Sequence, residues 1–118
     1  MTNTLKQIAD ALNLAVKTGE GLLERTVTGG YAGDLLSDVL AHARQGDVWI
    51  TLQTHSNIVA VASAKELSGV IIVHGRTPEE ATLRKAGEEQ LPILVSPLST
   101  YDVVCRLCEL GVTNDARV

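Results

Sequence analysis

A chain of 118 residues, 45% hydrophobic and 20% charged, is long enough for one domain with its own core. At this size roughly two-thirds of the unfolded surface is buried on folding, so neither a disulfide framework nor a structural metal is required. The net charge of −4 and the lack of a basic cluster exclude the electrostatic footprint of a nucleic-acid binder or of a protein drawn to anionic lipid.

Phenylalanine is absent and the aromatics are Trp49, Tyr31 and Tyr101, which leaves the core to Val, Ile, Leu and Ala and provides no platform for stacking bases. The opening Met1-Thr2-Asn3-Thr4-Leu5-Lys6 lacks the apolar stretch of a secretory signal, and no apolar run is long enough to span a bilayer. The expectation is a soluble cytoplasmic protein with no membrane or nucleic-acid partner.

The first periodic segment is Leu5 to Leu14, where Leu5, Ile8, Ala9 and Leu12 share one helical face and Lys6 and Asp10 the other. Ala15-Val16 turns extended, and Thr18-Gly19-Glu20-Gly21 reads as a turn. Gly19 and Gly21 begin a G-x-G-x-x-G pattern, but Glu24 holds the third position, so a plain turn is preferred to a dinucleotide loop.

Arg25 to Thr28 is extended and leads into Gly29-Gly30-Tyr31-Ala32-Gly33-Asp34, three glycines within five residues, read as a turn before a helix. Gly33 or Asp34 is expected to cap that helix, with Leu35, Leu36, Val39, Leu40 and Ala43 in one stripe and Gly46 closing its end. Val48 to Leu52 is a short strand.

Ile58 to Ala64 has strand propensity but is assigned as a helix, because it lies between two buried strands that need a crossover. Its apolar character runs all round, and the small residues Ala60, Ser63 and Ala64 suggest a face for a second subunit. Gly69 to Val73 is apolar throughout, as a parallel strand covered on both faces should be. Thr77-Pro78-Glu79-Glu80 has the form of a complete helix start, with threonine as N-cap.

Leu91 to Val95 is the last strand, Ser99 and Asp102 form a capping box, and the final helix carries Val103, Val104, Leu107 and Leu110 before Gly111. Alternating strands and helices imply an α/β fold: a mostly parallel sheet flanked by helices, one domain over residues 1–113, with 114–118 as a flexible tail.

Right-handed crossovers bring the polar joints after the strands to the carboxyl edge of the sheet. Gly29, Gly30, Asp34, Gln53, Thr54, His55, Asn57, His74, Arg76 and Ser96 are therefore the candidate ligand-binding residues, with Ser99 and Thr100 beside them. Helix starts favour anions, but Asp34, Asp38, Glu79, Glu80 and Asp102 already occupy most of them. The joint at His55 carries no carboxylate, and Arg76 belongs to the same rim, which makes these two the candidate anion contacts, with ordinary helix capping the preferred reading of the joint.

No phosphate loop and no G-x-S-x-G elbow is present. His55, His74 and Asp34 could form a two-histidine, one-carboxylate set, against which stands ordinary hydrogen bonding in turns. Cys105-Arg106-Leu107-Cys108 matches C-x-x-C, but mid-helix, away from the helix start that activates a thiolate, so two small buried side chains are expected.

Val27 to Tyr31, Gly33 to Asp38, Gly46 to Thr51, Gln53 to His55, Asn57 to Ala62 and Pro92 to Leu94 together resemble a DRTGG domain over roughly Leu5 to Val112. Of the name-giving motif, Thr28-Gly29-Gly30 is present, whereas Arg25-Thr26-Val27 departs from it. The resemblance implies a small α/β module, usually a homodimer. Such modules occur alone, in the N-terminal part of some phosphotransacetylases, and beside CBS domains in regulatory proteins. It implies a regulatory or ligand-sensing role and no catalytic residues. Stand-alone members look like accessory proteins of anaerobic redox operons, which points to a partner protein of that kind. No cofactor follows from it. Alternatives are a pure dimerisation or interaction module, and an enzyme using His55, His74 and Asp34.

Overall fold

The computed structural model describes residues 3–114. In chain order it contains β1 (Asn3–Thr4), α1 (Leu5–Leu12), β2 (Ala15–Thr18), a 3-10 turn (Glu20–Leu22), β3 (Thr26–Val27), β4 (Gly29–Ala32), α2 (Leu36–His42), β5 (Asp47–Thr51), α3 (Asn57–Ala64), β6 (Gly69–Ile72), α4 (Glu80–Glu88), β7 (Ile93–Val95) and α5 (Thr100–Glu109). The main sheet has the order β2-β7-β6-β5-β4. Strands β4 to β7 are parallel, and β2 is antiparallel to β7. A two-stranded antiparallel ribbon, β1 with β3, lies beside it. This is the expected mostly parallel α/β arrangement.

Alternation along the strands divides the core into two layers. Val48 and Ile50 of β5 join Leu5, Ile8 and Leu12 of α1 and Val103 and Leu107 of α5 on one face. Trp49, between them in sequence, points to the other face, against Val39 of α2, Ile58 and Val59 of α3 and Ala86 of α4. The fully buried Trp49 indole donates to the Gly33 carbonyl at 2.8 Å, so its one polar atom is satisfied.

Helix α3 is the middle of the three helices on its face, which explains an apolar run on all sides: Ile58, Val59, Val61 and Ala62 are buried within this one chain. Gly19, at φ 80°, is required where it stands, because a Cβ there would lie 2.8 Å from Pro92 Cα.

Several local expectations are corrected. Gly29–Ala32 is a strand, because its backbone pairs in parallel with β5, Gly29 level with Asp47 and Ala32 with Ile50. Tertiary pairing overrides the weak strand preference of glycine. Helix α2 begins at Leu36, after Leu35 in the N-cap position with no side-chain cap; the Asp34 carboxylate faces away from it. Of the predicted stripe, Val39 and Ala43 are buried, whereas Leu35 is 68% and Leu40 44% exposed. Gly46, at φ 86°, sits in a separate turn closed by Asp47 N–H donating to Arg44 O, four residues past the end of α2.

Helix α4 begins at Glu80 and not at the Thr77-Pro78 signature. The Thr54 carbonyl accepts both Glu79 N–H (3.2 Å) and Thr82 Oγ1 (2.7 Å), so docking onto the β5 exit selects the first turn. Cys105 and Cys108 are exposed free thiols, because Val103 and Leu107 occupy the buried face of α5. Ser99 does cap α5, accepting from Asp102 N–H at 3.1 Å. The Asn114 side chain forms two bonds to the open edge of β4, accepting from Gly30 N–H (3.1 Å) and donating to Gly30 O (3.0 Å). Residues 115–118 of the expected tail lie outside the described residues.

Candidate functional site

The parallel strands β4 to β7 all end at one edge of the sheet, which gathers Asp34, Gln53, Thr54, His55, Asn57, His74, Arg76 and Ser96 there. Gly29 and Gly30 are at the opposite, amino end of β4 and do not belong to this rim. The chain leaves β6 towards α4 on one face and β7 towards α5 on the other. Such a divergence is where parallel α/β folds commonly open a crevice. Here it is bridged: His74 N–H donates to Leu98 O at 2.8 Å and Gly75 N–H to Ser96 O at 2.9 Å. His74 and Gly75 are both left-handed, at φ 60° and 63°, which keeps this turn tight.

Most polar groups of the rim hold its loops together. Asp34 Oδ1 accepts from Thr51 Oγ1 and from Leu52 N–H, each at 2.8 Å. Gln53 Nε2 donates to Asp34 O at 2.8 Å, closing the clamp between the β4 and β5 exits. His55 Nδ1 accepts from Asn57 N–H at 3.1 Å and so covers the start of α3; in the neutral ring this places the proton on Nε2. Buried Ser96 accepts from Leu98 N–H through its hydroxyl.

Three cationic or hydrogen-bonding side chains remain outward: exposed His55, His74 and Arg76. Arg76 Nη1 lies 3.4 Å from Leu52 O, which puts the guanidinium over the exit of β5, three residues before His55. Of the helices that follow a parallel strand, α3 alone has no acidic residue in its first turn; α2, α4 and α5 carry Asp38, Glu80 and Asp102.

Asp34 is occupied by Thr51 and Leu52 and does not join His55 and His74 in a metal set. Among the described residues no group of three or more His, Cys, Asp or Glu side chains could hold a metal ion. Sequence reasoning missed one charged network on the surface. The Tyr31 hydroxyl donates to Asp38 Oδ2, and His42 Nδ1 stands 3.2 Å from Asp38 Oδ1. The hydrogen bond to Asp38 raises the pKa of Tyr31 above its ordinary value, with burial and the carboxylate charge adding to it. The Asp38–His42 spacing of four within a helix is the signal for this pair.

Two concave surfaces lie elsewhere. A cleft of about 470 Å³ opens at the amino edge of the sheet, lined by Arg25, Ser63, Glu66, Ser68, Glu89 and Gln90 among others. A smaller cavity of about 200 Å³ lies between β4 and α5, with Val104, Leu107 and Cys108 along it. No helix among the described residues is long and apolar enough to cross a membrane.

The family model of the DRTGG domain matches residues 7–110. No curated protein matches the chain. A solved structure with the same fold is that of the CBS and DRTGG domains of the regulatory region of Clostridium perfringens pyrophosphatase, complexed with its activator diadenosine tetraphosphate. It aligns with a TM-score of 0.72 at 16% identity, over 88% of this chain and 45% of that one. The chain thus spans less than half the length of that structure, and the likeness is one of fold.

Proposed function

The chain belongs to the DRTGG domain family, and from that premise we propose that it is a non-catalytic regulatory module that senses a small anionic metabolite at the carboxyl rim of its sheet. The observation that carries this reading is the placement of exposed Arg76 over the β5 exit, from which the chain runs on to exposed His55 and to α3, whose first turn has no carboxylate. A guanidinium and an imidazole N–H favour the same ligand charge; the first amides of α3 are already taken up by His55 and Ser56. His74 precedes Arg76 by two residues, and Gln53 and Asn57 flank His55 in the chain. The Clostridium perfringens relative is a regulatory region with a bound nucleotide activator, which supports a regulatory setting for the fold. The rim carboxylate Asp34 works as a clamp, which supports a binding role over a catalytic one.

The module acts as a homodimer in this reading, with exposed Leu35 and Leu40 and the small Ala60 and Ala64 as the contact surface. A thermal-shift series with nucleotides, acetyl phosphate, coenzyme A and divalent metals tests the proposal. A ligand at one hundred times its Kd stabilises the folded state by about 2.7 kcal/mol, a shift of several degrees in a domain of this size. An anionic compound should give such a shift, and Arg76→Gln should remove it. No shift with any compound, together with a stable dimer that Leu40→Glu dissociates, would leave a pure interaction module. Turnover abolished by His55→Ala would restore the enzyme reading.

A further inference from the structure

We infer that the cleft at the amino edge is a second ligand site, independent of the rim and of opposite electrostatic character, built for an elongated zwitterion with an ammonium group at one end and a carboxylate at the other. Its volume of about 470 Å³ falls within the range of small-molecule sites. Three observations specify the ligand.

The first is the field. Helices α3 and α4 pack side by side and both return antiparallel to the parallel strands, so their C-terminal ends reach this edge together. The carbonyl ends of two helices make one wall of the cleft electronegative. Glu66 and Glu89 line that same wall, just past the last turns of α3 and α4.

The second is the facing charge. Arg25 lines the cleft from the chain entering β3, whose backbone carbonyl accepts from Leu5 N–H of α1. Helix α1 covers the face of the sheet opposite to α3 and α4, so Arg25 and the two glutamates approach across the sheet edge. None of the three makes an ion pair with another protein side chain among the described residues. A cleft lined by a half-buried arginine from one segment and exposed glutamates from two others, with no ion pair among them, matches a ligand whose own ends are oppositely charged.

The third is what lies between. Each helix closes with a left-handed residue, Glu66 at φ 54° and Gln90 at φ 56°, the position where glycine is the usual choice. Polar side chains stand there instead, and both line the cleft. The residues that follow, Leu67 and Leu91, fold back through N–H bonds to Ala62 O (3.0 Å) and Ala86 O (2.9 Å) and are buried. With Ala62 they line the base of the cleft, which leaves a methylene chain a small apolar contact between the two charged ends.

Three six-carbon probes that differ only in their end groups test this on the full chain: 6-aminohexanoate, 1,6-diaminohexane and adipate. Binding is read by calorimetry and by backbone amide shifts. 6-Aminohexanoate should bind most tightly and adipate least, with shifts at 25–26, 45–46, 62–68 and 89–91. Arg25→Gln should weaken 6-aminohexanoate about tenfold and leave the diamine unchanged or tighter, whereas Arg25→Lys should keep most of the affinity. Glu66→Gln and Glu89→Gln should weaken both amines while the melting temperature stays near that of the parent. Equal binding of all three probes, tightest binding of adipate, or shifts confined to 53–57 and 76 would overturn the proposal. The rim reading is unaffected by either result, because its own test uses anionic compounds and Arg76.

Discussion

The two edges of the sheet differ in how they use their charged groups. At the carboxyl edge, side chains that looked most chemical in sequence are engaged by the loops themselves: Asp34 holds Thr51 and Leu52, Gln53 holds Asp34, and His55 covers α3 through Nδ1. At the amino edge, Arg25, Glu66 and Glu89 come from three distant segments and face an open cleft. A parallel α/β unit places helix starts at one edge and helix ends at the other, so it is electrostatically polar before any side chain is chosen. The loops of the carboxyl edge must also bridge neighbouring strand exits, which draws their polar groups into structural bonds. The turns at the other edge close through C-terminal helix motifs and are tied together by backbone bonds and by Ser68 Oγ, which donates to Thr26 O and Gly46 O, while Glu66 and Glu89 stay exposed.

The largest expected effect that tests this contrast is at Asp34. Asp34→Ala removes the acceptor of fully buried Thr51 Oγ1 and of Leu52 N–H, and should destabilise the fold by about 2 kcal/mol in chemical denaturation. Asp34→Asn, which keeps an acceptor, should lose less than half of that. A neutral Asp34→Ala variant would show that the clamp is not what holds the rim.

A smaller effect of opposite sign is expected at the other edge. Glu66→Gly relieves a left-handed non-glycine residue and should stabilise the chain by about 0.5–1 kcal/mol. The same change removes one carboxylate from the cleft, so stability should rise as affinity for 6-aminohexanoate falls. A loss of stability would mean that the Glu66 side chain supports the fold itself.

The smallest effect belongs to neither edge and serves as a reference. Tyr31 has a pKa raised above 10.0 by its hydrogen bond to Asp38. A group whose folded pKa is raised contributes stability in full below its unfolded value and loses it as the pH rises through the folded one. The melting temperature should therefore fall more steeply above pH 10 than in Asp38→Asn. In a Tyr101→Phe background, phenolate absorbance should show Tyr31 titrating above the ordinary tyrosine value, and Asp38→Asn should bring it down.

The sequence by itself determined the elements whose pattern is local. Leu5, Ile8, Ala9 and Leu12 mark the buried face of α1, and each is buried there. The unbroken apolar run of β6 marks a strand covered on both sides, and all four of its residues are buried. The assignment of residues 58–64 to a helix required only the crossover rule, and residues 27–62 carry most of the family resemblance. These signals arise between residues two to four apart, or from the order of neighbouring elements.

Only the tertiary structure decided what depends on partners distant in the chain. Gly29–Ala32 became a strand because β5 was available to pair with it, and α4 took its start from Thr54, more than twenty residues earlier. Asp34 turned from a helix cap into a clamp because Thr51 stood within reach. The amino-edge cleft combines residues from segments near 25, 46, 66 and 90, none of which carries a local signature of a site. Periodicity records which face of an element is buried. Which side chains meet at the ends of those elements follows from strand order and helix direction, and these are settled when the sheet assembles.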